Sequence, residues 1–334
     1  MFIHVNPFLK TAFRDRLMHD GGRPLLLLGK SGTSRTTSIM AYIKEQNCCG
    51  NPPVGEPYAP FTTGEDYKEN CRCLNCQKIA QGKTVDILIV PMKSKIDDLR
   101  KLVFSFCDTA PQELRRRYLI IKNADSYLKR TLDIFLKLLE EAPAYLDIFL
   151  TAHVPENLPN AVLSRCESIN QPALSPQTLK RIVESNPMLS GLRGKVLSYP
   201  FQSISELRLY SKLDLEDQFR ILFISQTSPW SLEKAGTELW KVLDLEGDHI
   251  LISEARSFVL NFCHSRWEDY LSKNVSTLKG LDEARLTSVH VHYAAHPLFE
   301  YAARQDGSQF LNLQEQFIAY IMSLYMARRS LGVL

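Results

Sequence analysis

Eight cysteines occur in the chain, and five of them (Cys48, Cys49, Cys71, Cys73 and Cys76) fall within 29 residues. Cys71, Cys73 and Cys76 form C-x-C-x2-C, a spacing that puts several thiolates on one knuckle. Four thiolates saturate tetrahedral zinc and leave no open position for water, so the cluster predicts a structural zinc site. The fourth ligand comes from the upstream pair. Cys49, followed by Gly50, is the first choice and Cys48 the alternative. The segment between the two groups carries Pro52, Pro53, Gly55, Pro57, Pro60 and Gly64 and is poor in apolar residues. It needs a staple to order itself. The competing reading is a set of reduced surface thiols.

A second constellation runs from Leu25 to Thr36, LLLLGKSGTSRT: an apolar run, a glycine-containing turn and a helix start. Backbone N–H groups of such a turn and helix N-terminus wrap a phosphate. The usual pattern is G-x-x-x-x-G-K-[ST]. Gly29 opens the loop and Thr36 closes it, with Gly32 inside. Ser34 stands where the second required glycine belongs, and Arg35 where the lysine belongs. Ser34 puts a Cβ where the backbone needs a positive φ. Arg35 keeps the charge but exchanges a compact ammonium for a broad planar fork. A strand-turn-helix with no ligand is the alternative.

Hydrolysis needs a further acid at the end of a later strand, to hold Mg²⁺ and orient water. The apolar run Tyr118–Ile121 ends instead in Lys122-Asn123, a cation and an amide. Asp125 lies beyond them and reads as a cap for the following helix. The chain is therefore expected to hydrolyse no ATP with Mg²⁺.

The elements that must position these residues alternate. Strands are expected at Leu25–Leu28, Asp86–Val90, Tyr118–Ile121 and Asp147–Ala152, with helices at 36–46, 96–106 and about 126–141 between them. In the last helix Leu128, Leu132, Phe135, Leu136 and Leu139 share one face, and Pro143 stops it. Continuous apolar strands alternating with helices predict an α/β fold with a parallel sheet covered on both faces. After Gln171-Pro172 the strand signal fades. Ser175-Pro176 opens a helix, and the remainder is helix-rich. The expected division is residues 1–172 as an α/β domain carrying the cysteine insertion at about 48–78, a small helical domain at 173–212, and a helical C-terminal domain at 213–334.

Composition sets outer limits. The chain has 334 residues, 45% hydrophobic and 23% charged, which excludes a disordered, collagen-like or disulfide-stapled class. The net charge of +3 announces no nucleic acid by bulk charge, so any DNA contact must come from a local surface or a larger assembly. The start lacks a signal-peptide pattern and no apolar run reaches membrane length, so a cytoplasmic location is expected. His290, His292 and His296 have no carboxylate or thiol at metal spacing and read as ordinary histidines. Trp230, Trp240 and Trp267 read as core. Arg115-Arg116-Arg117 reads as a solvated charge run. Glu140 and Glu141, at a helix C-terminus where the macrodipole disfavours carboxylates, hint at an external partner.

Two further stretches are specific. Phe135–Pro143 reads FLKLLEEAP, and Asn157–Cys166 reads NLPNAVLSRC. Together with the loop, they make the chain resemble the clamp-loader subunits of bacterial DNA polymerase III, members of the AAA+ superfamily. FLKLLEEAP is similar to that family's L-L-K-x-L-E-E-P-P, and Ser164-Arg165-Cys166 to its S-R-C signature. The family carries a zinc module at the cysteine insertion, typically C-x2-C-x2-C; here Cys71 is displaced by one residue and Asn70 stands in the expected place. The degenerate loop and lost acids look most like the delta prime type, the non-hydrolysing partner of the gamma/tau ATPases.

The resemblance implies an AAA+ α/β domain, a helical lid and a helical collar that joins five subunits in a ring. It implies gamma/tau and delta-type subunits as partners, with the sliding clamp and primed DNA reached through the complex. It also implies that Arg165 is an arginine finger acting on a neighbour's ATP. The alternative for Arg165 is a surface cation paired with Glu167. For the whole chain the alternatives are a divergent gamma/tau-type ATPase and a zinc-stabilised interaction protein outside clamp loading.

Overall fold

The computed structural model describes residues 23–49, 73–91, 94–185, 187–196 and 199–215, with shorter pieces at 2–3, 9, 11–13, 15, 67–68, 258–259, 261–262 and 265. The chain divides into two compact units, Met1–Ser203 and Ile204–Leu334.

In the first unit, β1 (Phe2–Ile3) pairs antiparallel with a short strand at Tyr67–Lys68, β3. The sheet that matters for the site starts with β2 (Leu25–Leu28), which leads through the glycine turn into α1 (Arg35–Asn47). Helix α2 (Leu74–Ala80) precedes β4 (Ile87–Ile89), and α3 (Ile96–Cys107) precedes β5 (Arg117–Ile121). Helix α4 (Lys129–Glu140) leads to β6 (Leu146–Ala152), and the short α5 (Asn160–Leu163) leads to β7 (Glu167–Asn170). The order across the sheet is β4-β5-β6-β2-β7, and every pairing is parallel. Leu25 lies opposite both Phe149 of β6 and Glu167 of β7, so β2 sits inside the sheet with its C-terminal end framed by theirs.

The two-residue period of the strands sorts the core. Leu26, Leu119, Ile121, Ile148 and Leu150 face one layer, where Leu99 and Val103 of α3 and Leu132, Phe135 and Leu139 of α4 cover them. Leu25, Leu27, Tyr118, Ile120 and Phe149 face the other, against Ile39, Tyr42 and Ile43 of α1 and Phe13. This is the α/β layer architecture that the alternating pattern predicts.

Two local expectations are corrected, and one strand stands where none was expected. The fifth strand, β7, has the sequence ESIN and buries only Ile169, so no apolar run announces it. Leu128 does not extend the α4 face: it is the N-cap residue, with the helix beginning one residue later, and it stays 62% exposed. Of the three-arginine run only Arg115 is exposed. Arg117 is buried, reaches Asp86 at 3.4 Å, donates to the Phe106 carbonyl and lies over the Phe106 ring. Arg116 meets buried Asp147 at 3.1 Å.

Beyond the sheet, helix α6 (Pro176–Ser185) begins with the Ser175 hydroxyl accepting from the Thr178 N–H, as the Ser-Pro pair predicts. In the second unit α7 (Ile204–Leu213) packs Tyr210 edge-on against Phe262. Most of the region expected to form a helical C-terminal domain, with the three tryptophans and His290, His292 and His296, lies outside the described residues. No helix among the described residues is long and apolar enough to cross a membrane.

Candidate functional site

The glycine turn is a closed structure built from its own chain. Gly29 has φ +143°, and a Cβ there would lie 2.4 Å from the Gln171 carbonyl oxygen, so only glycine fits. Its N–H donates to the Ala152 carbonyl at the end of β6. Gly32 has φ +79°. Thr33 is fully buried and donates its hydroxyl to the Lys30 carbonyl at 2.7 Å.

Ser34 takes the left-handed conformation, φ 71° and ψ 16°, and its hydroxyl makes no cap bond to α1. The backbone has thus kept the shape of the missing glycine, at a cost of about 1–2 kcal/mol for a residue with a Cβ. Arg35 is the first residue of α1 and is buried. Its guanidinium turns inward, and Nη1 donates to the same Ala152 carbonyl. Lys30 donates its ammonium to Gln202 Oε1.

Gln171, which follows β7 and which sequence reasoning did not single out, closes the loop from the side. Its amide N–H donates to the Leu28 carbonyl at 2.7 Å, and its side-chain Nε2 to the Thr33 carbonyl at 3.1 Å. Its position is legible only once β7 is known to run beside β2.

At the end of β5, Lys122 and Asn123 stand where a hydrolysing site needs acids. Burial pushes the Lys122 ammonium pKa down. Asn123 is left-handed, φ 48° and ψ 55°, and its N–H donates to the Thr151 hydroxyl at 2.9 Å. Asp125 is no cap for the following helix. One carboxylate oxygen accepts from the N–H groups of His153 and Val154, at 2.9 and 2.8 Å, and so ties this turn to the end of β6.

Arg165 follows α5, and its partner is Glu140 rather than Glu167. Nε donates to Glu140 Oε1 at 2.6 Å, Nη2 donates to the same oxygen, and Nη1 donates to the Ala161 carbonyl at 2.7 Å. The Arg165 side chain is 30% exposed and that of Glu140 48%. Ser164 turns its hydroxyl to the Ala161 carbonyl, and its own carbonyl accepts from Arg23. Cys166 is buried under the sheet.

The thiols of Cys48, Cys73 and Cys76 all lie within 4.8 Å of one another, with 3.8 Å between Cys48 and Cys73. Zinc–sulfur bonds of about 2.3 Å make a tetrahedron with edges of about 3.8 Å, so the three sulfurs fit one metal. Cys48 is the C-cap residue of α1 and Cys73 the N-cap of α2, whose first turn directs the Cys76 N–H at the Cys73 sulfur, 3.5 Å away. Asn75 donates to the Asn47 carbonyl and fastens the two helix ends together. Cys49 is exposed and stands apart from this group, so the geometry draws in Cys48 and not the first-choice Cys49. Cys71 lies outside the described residues.

A family model described as DNA polymerase III, delta subunit, matches residues 23–175, from just before β2 to just before α6. Over these residues the chain is similar to the DNA polymerase III clamp-loader family. Among curated proteins, this chain is 26% identical over 176 residues to DNA polymerase III subunit tau/gamma of Haemophilus influenzae, covering 51% of this chain and 23% of that one. It is 30% identical over 114 residues to subunit tau of Escherichia coli, covering 34% and 18%. It is 25% identical over 177 residues to subunit delta' of Bacillus subtilis, covering 52% and 48%. The chain spans less than half the length of each of these relatives. A solved gamma subunit-related protein of Thermotoga maritima aligns over 96% of this chain and 99% of its own, with TM-score 0.43 and 14% identity.

Proposed function

We propose that the chain is a clamp-loader subunit of the delta prime type, which supplies Arg165 to a neighbouring subunit's ATP and hydrolyses none itself. The observation that carries this is Arg35. The one cation at the lysine position is buried and donates to the Ala152 carbonyl, so it is directed at the protein and not at a phosphate. Lys122 and Asn123 add no carboxylate for Mg²⁺. Arg165, in contrast, is partly exposed at the end of a helix, where a permanently charged planar fork suits a phosphoryl group approaching from outside.

The partners are gamma/tau and delta-type subunits, with the sliding clamp and primed DNA met through the assembly. Zinc is held by Cys48, Cys73, Cys76 and Cys71. It supplies a structural cross-link between the ends of α1 and α2 and takes no part in chemistry.

The test is Arg165→Ala in a complex reconstituted with gamma/tau and delta-type subunits. DNA- and clamp-stimulated ATPase at the affected site should fall at least about tenfold while assembly is kept. Wild-type clamp loading by the mutant complex would refute the trans role. The tau and tau/gamma names of two of the three curated relatives favour a second reading, a divergent gamma/tau-type ATPase. Metal-dependent ATPase of the purified chain, abolished by Arg35→Ala, would establish that one.

A further inference from the structure

Arg165 has five N–H donors, and three are committed within its own chain: Nε and Nη2 to Glu140 Oε1, and Nη1 to the Ala161 carbonyl four residues back. The side chain therefore lies folded against its own helix end. Its acceptor is unusual in place. Glu140 is the last residue of α4, where unsatisfied carbonyls make a carboxylate unfavourable, and α4 has no acid in its first turn to suggest a general excess of negative charge. The guanidinium of Arg165 offsets that misplacement. The pair joins the FLKLLEEAP stretch to the LSRC stretch, 25 residues apart in sequence.

From this geometry we infer that Glu140 is a cis latch on Arg165, holding the guanidinium against its own subunit until a more highly charged acceptor takes it. The inference rests on the trans role proposed above. Both side chains are partly exposed, so an incoming phosphate can reach the fork without unfolding anything. An exposed ion pair holds only weakly, which is what a releasable latch requires. A triphosphate offers more charge and more acceptor oxygens than one carboxylate, so exchange runs toward the nucleotide once a neighbour presents it. Two N–H groups remain uncommitted, enough for first contact with that phosphate before the Glu140 bonds break.

The experiment compares wild-type, Glu140→Gln and Arg165→Ala chains in the reconstituted complex, with ATPase measured with and without clamp and primed DNA. Glu140→Gln should raise the unstimulated rate, so that the ratio of stimulated to unstimulated ATPase falls about two- to fivefold, the scale of an exposed pair. Equal ratios for wild type and Glu140→Gln would overturn the latch. So would a fall in both rates like that of Arg165→Ala, which would make Glu140 a positioning residue. If Arg165→Ala leaves stimulated ATPase intact, the underlying trans role fails, and that result is read from the arginine arm alone. In the isolated chain, hydrogen exchange of the Arg165 Nε–H, followed by NMR, should speed up in Glu140→Gln. Unchanged exchange would show that the pair does not hold the arginine and would also overturn the latch.

Discussion

Replacing Cys48 and Cys49 one at a time by serine separates two neighbours that sequence alone leaves level. The 3.8 Å between the Cys48 and Cys73 sulfurs matches the edge of a zinc–thiolate tetrahedron, whereas Cys49 points to solvent. A structural zinc contributes about 10–16 kcal/mol at neutral pH, or about 3 kcal/mol for each of four thiolates. Losing one should weaken zinc binding about 100-fold. The chain is purified without chelator, its zinc content measured by elemental analysis, and the metal then titrated away with a chromogenic chelator. Wild type and Cys49→Ser should each hold about one zinc per chain and release it at the same chelator concentration. Cys48→Ser should release it at about one-hundredth of that concentration. Because Cys48 caps α1 and Cys73 caps α2, loss of metal should loosen the 48–78 segment and leave the parallel sheet folded. Equal metal loss from Cys48→Ser and Cys49→Ser, or none from either, would refute the geometric assignment.

Asp86→Ala removes a fully buried carboxylate that accepts from the backbone N–H groups of Gln112, Glu113 and Leu114 and faces Arg117. It should cost about 3–5 kcal/mol in urea unfolding, since it strands a buried cation; a loss under 1 kcal/mol would contradict that. Gly29→Ala should destabilise by about 1–3 kcal/mol or more, because its Cβ meets the Gln171 carbonyl. Gly82→Ala, with φ +64° but nothing within 4 Å, should cost only about 1–2 kcal/mol of backbone strain. Thermal midpoints that rank the two glycines the other way would count against the closed loop. Burial raises the Cys107 thiol from 9.0 to about 12 and lifts the Tyr118 hydroxyl above its ordinary 10.0. Raised pKa values favour the protonated folded state, so this stability is complete below about pH 9 and is lost as pH climbs toward 12. Cys107→Ala should flatten that alkaline decline in chemical denaturation; an unchanged slope would place the effect elsewhere.

Four of the five parallel strands are legible as apolar runs; β5, β6 and β2 lie inside the sheet, with no solvent face to interrupt them. The fifth, β7, is polar and buried only at Ile169, so its identity comes from pairing with β2, whereas β4 at the other edge keeps an apolar run. The positive φ at residue 34 was legible from the loop pattern, and Ser34 does adopt it. What Arg35 does with its fork was not, since its acceptor is a carbonyl 117 residues away. The same limit explains Arg165, whose acceptor lies on α4 rather than at the adjacent Glu167. The choice between Cys48 and Cys49 depended on the residue at which α1 ends, and helix ends are read from sequence only to within one or two positions.

Buried Arg117 at the start of β5 and half-buried Arg116 just before it bear on how this sheet avoids assembling wrongly. Arg116 and Arg117 are successive, so their side chains leave the backbone on opposite sides. One is matched by Asp147 on β6, and the other by Asp86 just before β4. Strand β5 is thus keyed to both neighbours at once. Its apolar residues, Leu119, Ile120 and Ile121, are similar enough in size to pack after a shift by one place. The arginines are not so tolerant: a one-residue slip exchanges their sides and leaves two cations and two carboxylates inside the protein without their counter-charges. Such a slip would also carry Lys122 and Asn123 about 3.3 Å along the sheet, away from Thr151. The alignment of the strand ends beneath the glycine turn is therefore guarded from the far end of the sheet by two ion pairs.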